Sequence, residues 1–112
     1  MSIVKTHKMK RNDLQPHYRF AVPDSTDLTG ATFTCTMINV ATKALVITRG
    51  SAGCVVTSGI DRQLEYRWQD GDTAAAGIFK IEFEVNPVSG GKFTVPVTGS
   101  ALVQIGEDLD GQ

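Results

Sequence analysis

Two alternating runs joined by a tight polar turn constrain this chain more than any other feature. In Leu64–Trp68, the side chains of Leu64, Tyr66 and Trp68 fall on one side and those of Glu65 and Arg67 on the other. Past Gln69-Asp-Gly-Asp-Thr73, Phe79, Ile81, Phe83 and Val85 share one face while Lys80, Glu82 and Glu84 share the opposite one. Successive strand side chains alternate sides, so the two runs predict a half-buried antiparallel pair over an apolar core. The expected fold class is all-β: an antiparallel β-sandwich of about seven or eight strands. Its core is expected to include Phe33, Tyr66, Trp68, Phe79 and Phe83, the tryptophan packing between the sheets.

The remaining strand signals recur at sandwich spacing. Tyr18, Phe20 and Val22 alternate with Arg19 and Ala21 until Pro23, which has no amide to donate. Asp24 to Thr29 reads as a polar loop. Thr32 to Asn39 places Phe33, Cys35 and Met37 inward and Thr32, Thr34 and Thr36 outward. Ala44-Leu-Val-Ile47 suits a strand buried on both faces or one near an edge, and Cys54-Val-Val-Thr57 follows a turn. Phe93, Val95 and Val97 form a later run whose Pro96 calls for an edge or a bulge. Ser100 to Ile105 closes the series. No segment carries a helical period. We expect a basic N-terminal arm over 1–11, the sandwich over 12–106 and an acidic tail over 107–112.

At 112 residues the chain is one domain, large enough to build a core without staples. Its 11 basic and 12 acidic residues give a net charge of −1, too little to gather nucleic acid or an anionic membrane. No apolar run approaches the ~18 residues that span a bilayer. The N-terminus lacks a secretory signal pattern, so synthesis in the cytoplasm is expected. Cys35 lies in phase with core residues and reads as a buried thiol; whether it pairs with Cys54 is open, because spacing does not give the distance between them.

The charged ends have two readings. Lys5, Lys8, Lys10 and Arg11 near one terminus, and Glu107, Asp108 and Asp110 near the other, are solvated tails or complementary edges of neighbouring copies. Ser2–Met9 is a candidate arm that adds to a neighbour's sheet.

Catalysis is not expected. Asp70-Gly71-Asp72-Thr73 offers two carboxylates where calcium needs six or more oxygens, so it reads as a turn. His7 and His17 have no metal-ligand spacing, and no nucleophile elbow or phosphate loop occurs. No catalytic residue, metal ligand or cofactor-binding residue is assigned.

Four stretches occur in a telling order: Asp27-Leu-Thr-Gly-Ala-Thr-Phe33, Leu64-Glu-Tyr-Arg-Trp-Gln-Asp-Gly-Asp-Thr73, Gly77-Ile-Phe-Lys-Ile-Glu-Phe-Glu-Val85 and Phe93-Thr-Val-Pro96. Together they resemble the immunoglobulin-like domain at the N-terminus of phage baseplate upper proteins, found also as a small stand-alone protein of phage and prophage structural clusters. The resemblance runs from about Arg19 to Ile105. It implies an immunoglobulin-like sandwich serving as a virion structural protein, a tail or baseplate assembly module without enzymatic activity or cofactor. Its implied partners are other virion proteins, as a homo-oligomer or on a ring, and its location is the virion. The alternative is a module that recognises a host-surface carbohydrate or protein through its loops, Asp24–Gly30 and Gln69–Ala76, with Asp70, Asp72 and Thr73 as the candidate interaction residues.

Overall fold

The computed structural model describes residues 4–22, 27–96 and 100–107, and the side chains of all of these except Val4, Lys5, Arg49 and Ser100. Among them are nine strands and no helix: β1 (Val4–Lys10), β2 (Tyr18–Ala21), β3 (Thr32–Asn39), β4 (Leu45–Gly50), β5 (Cys54–Ser58), β6 (Gln63–Tyr66), β7 (Gly77–Asn86), β8 (Phe93–Val95) and β9 (Ser100–Gly106). The larger sheet runs β1-β9-β7-β3-β4, with β8 also on β7, and the smaller runs β2-β6-β5. Every described pairing is antiparallel except β1 with β9. The chain is an all-β sandwich. Its two sheets, ordered β1-β9-β7-β3-β4 and β2-β6-β5, pack their apolar faces together around one core.

Alternation explains most of the core. In β7, Phe79, Ile81, Phe83 and Val85 are buried, and their antiparallel partners in β3 include the buried Phe33, Cys35 and Met37. Phe20 of β2 stacks on Phe83 at a ring separation of 4.3 Å, and Tyr18, Phe33 and Tyr66 surround the same ring at 5.5–6.4 Å. Phe83 thus joins the two sheets. Trp68, just beyond β6, lies edge-on to Tyr66 at 5.3 Å and donates its Nε1–H to the Pro16 carbonyl at 3.0 Å. His7 Nε2 lies 3.0 Å from that same oxygen.

Several details depart from the expectations. Residues 1–11 are not an appendage as a whole, because Val4–Lys10 is the edge strand of the larger sheet. Where Ser2–Met9 was expected to add to a neighbour, its described part pairs with this chain's own β9, from Val4 beside Ser100 to Met9 beside Ile105. Lysines mask the pattern there while Met9 fills the core. Lysine on a free edge also discourages unwanted strand pairing, which gives these cations a use in the isolated chain.

β4 takes the edge option: Ile47 is buried but Leu45 remains 58 % exposed. Leu28 sits in the loop expected to be polar yet is fully buried, its amide donating to the Gly59 carbonyl at 2.9 Å. The two ends of that loop's neighbourhood pack so closely that a Cβ on Gly59 would lie 2.4 Å from the Thr29 nitrogen. Pro23 and Val97 lie outside the described residues. Pro96 follows an edge strand and marks a break: Phe83 and Ile81 are two residues apart, whereas their partners Val95 and Ala101 are six apart. β8 and β9 therefore continue one another along β7 with four extra residues between them.

Candidate functional site

The loop after β6 is turned inward. Gly71 adopts φ +92°, a left-handed conformation that glycine takes without steric cost, and the Asp72 amide closes the turn on the Gln69 carbonyl at 3.0 Å. Asp72 Oδ2 accepts from the Tyr66 hydroxyl at 2.7 Å and from the Gln69 amide at 2.8 Å. Burial, then the Asp72 carboxylate, hold the Tyr66 hydroxyl well above its ordinary pKa, so it stays a donor. Thr73 is buried and donates its hydroxyl to the Asp13 carbonyl at 2.9 Å, while the Asn12 amide donates to the Thr73 carbonyl. Of the three loop residues singled out by sequence, Asp70 alone is exposed.

This arrangement predicts a structural phenotype. Replacing Asp72 with alanine leaves a buried phenol and a backbone amide without their acceptor, a loss of about 1–3 kcal/mol. Denaturant unfolding of Asp72→Ala and Tyr66→Phe checks it: each variant should be destabilised, and the double variant by less than the sum. Full additivity would show that the two groups do not interact.

The charged ends meet within one molecule. Arg11 Nη1 lies 3.1 Å from Glu107 Oε2, and Lys10 Nζ donates to the Glu107 carbonyl at 3.4 Å. The parallel register of β1 and β9 brings them there. Lys8 and Lys10 are exposed along the edge. The Lys5 side chain, Asp108 and Asp110 lie outside the described residues.

Sequence reading overlooked a cluster on the outer face of the smaller sheet. Glu65 points away from the core, as alternation requires, yet it is the only buried charged residue among those described. Arg67 Nε donates to Glu65 Oε2 at 2.7 Å, Arg19 Nε donates to Oε1 at 2.8 Å, and His17 Nδ1 lies 3.5 Å from Oε2. Arg67 shares the face two residues along β6's direction, a visible signal; Arg19 sits directly across on β2, which sequence could not place.

The hydrogen bonds from Arg67 and Arg19 hold the Glu65 carboxyl at about 2, well below its ordinary range. A depressed folded-state pKa means that the ionised carboxylate stabilises the fold above its unfolded value of ~4.3. That contribution disappears as pH falls from there through about 2. Unfolding measured for the parent and Glu65→Gln at pH 7, 4 and 2 should show the parent's advantage shrinking across the series. A constant gap would show that the carboxylate charge is not what matters.

The thiols offer no nucleophile. Cys35 and Cys54 are both free. Burial pushes Cys54 up to about 12 and Cys35 higher still, so both remain protonated near neutrality. Cys54 faces a shallow cleft of about 390 Å³ whose other walls include Thr29, Thr32, Ser51 and Gly59, with no acid or base beside it. Among the described residues, no three His, Cys, Asp or Glu side chains gather where they could hold a metal ion. Comparison of the sequence with models of known protein families and with curated proteins finds no match.

Proposed function

We propose that this chain is a phage or prophage virion structural protein, an assembly module of the tail or baseplate that acts through protein–protein contacts. One observation carries the reading: the four stretches that resemble the phage immunoglobulin-like domain fall on the lead-in to β3, on β6 with its turn, on β7 and on β8 of a single sandwich. The sheets also end in free edges at β4, β2 and β5 among the described strands, surfaces on which a neighbouring protein can dock. The loop reading, host-surface recognition, has less to work with. Asp72 and Thr73 spend their polar groups on the fold itself.

Peptide mass spectrometry on particles purified after prophage induction tests the proposal. Peptides of this chain at several copies per particle are the expected result. Their absence from intact, infective particles would overturn it.

A further inference from the structure

The outer face of the smaller sheet presents two guanidinium groups fixed by one carboxylate. The Glu65 side chain is only 6 % exposed, whereas those of Arg19 and Arg67 are 77 % and 52 % exposed. Each arginine spends its Nε–H on a different Glu65 oxygen. Their terminal NH₂ groups donate to no acceptor among the described residues. A planar fork held at its Nε edge keeps its outer edge free for a second carboxylate, and less ordering is then lost when one arrives. Two cations against one anion leave the cluster positive. Beside it runs a shallow depression of about 340 Å³ bordered by Arg19, Thr57, Ser58 and Gln63.

We propose that this face docks the acidic C-terminal stretch of a second copy, with Arg19 and Arg67 receiving the carboxylates of Asp108 and Asp110. The proposal rests on the assembly-module reading and deepens it by naming a contact. Glu107, Asp108 and Asp110 form the densest acidic run of the chain, and Glu107 is already engaged by Arg11. Docked in extended form, residues 108 and 110 point to the same side about 6.6 Å apart, which suits two forks on opposite oxygens of one carboxylate. Leu109 then points away. Because the receiving face and the donated segment differ, the contact is heterologous and repeats from copy to copy, closing into a ring where the rotation allows.

Titration of the ¹⁵N-labelled full chain with a peptide of residues 105–112 tests the site, read on the arginine Nε–H signals. We expect saturable shifts at Arg19 and Arg67, at least about five-fold weaker binding in about 0.5 M NaCl, and none with the D108N/D110N peptide. Arg19→Gln and Arg67→Gln, each checked for retained fold by circular dichroism, should each weaken it. Sedimentation of the full chain should show mass rising with concentration, and D108N/D110N should abolish the rise. No saturable shift, equal binding of the D108N/D110N peptide, or a full chain of concentration-independent mass would each overturn the proposal. The proposed function fails separately, on absence of the chain from purified particles.

Discussion

Phe83→Ala should lower the stability of this domain by about 3–5 kcal/mol, the usual cost of deleting a buried phenylalanine whose cavity cannot collapse. Collapse is hindered here because four aromatic rings from β2, β3 and β6 lean on Phe83 from both sheets. The stacked Phe20 would lose its partner face, and the pair's geometric preference adds to simple burial. For a total stability of about 5–15 kcal/mol, such a loss takes a large share. Urea unfolding of the parent, Phe83→Leu and Phe83→Ala should give midpoints in that order. A Phe83→Ala unfolding free energy within ~0.5 kcal/mol of the parent's would mean that this ring does not join the sheets.

Trp68→Ala should cost a comparable ~3–5 kcal/mol by a different route. Beyond the lost ring, the Pro16 carbonyl loses its indole donor, though His7 stays within reach of that oxygen. Trp68→Phe separates the two contributions, since it keeps most of the packing and removes the N–H; the hydrogen bond alone should account for about 0.5–1.5 kcal/mol. The chain has a single tryptophan, so its fluorescence reports this site without interference. Emission from the folded parent should be that of a buried indole and should shift to the red in one step with loss of β-sheet circular dichroism. A parent emission already matching the unfolded chain would place Trp68 at the surface and remove the basis for both predictions.

Much of this architecture can be read from a period of two. The alternation of Phe33, Cys35 and Met37, and of Phe79 through Val85, is a local property of the chain, and both strands appear with those residues buried. What was missed depends on partners distant in sequence. β1 reads as a basic tail because Lys8 and Lys10 interrupt its hydrophobic pattern; it becomes a strand only through β9, whose paired residues lie 96 positions later. Glu65 reads as ordinary surface because nothing local says that Arg19, forty-six positions earlier, stands opposite it. Leu28 reads as loop because its neighbours are polar, while its burial is decided by the Gly59 turn. For Asp72 and Thr73 the sequence supports the turn reading but not the partners that hold it. Residue type indicates a turn with side-chain caps, and the contacts from Asp72 to Tyr66 and from Thr73 to Asp13 tie both residues to the fold.

The parallel pairing of β1 with β9 also sets how this domain would carry tension. One strand leads in from the N-terminal side and the other leads out toward the C-terminal side, so force applied between Val4 and Gly106 drags them past each other lengthwise. The hydrogen bonds along the seven-residue register then share the load at once, instead of opening one by one like a zipper. Arg11 and Glu107, paired at 3.1 Å, lie just past the end of that ladder. Pulled by its ends, the sandwich should resist as a clamp in shear, and peeling β4 from the opposite edge should take far less force.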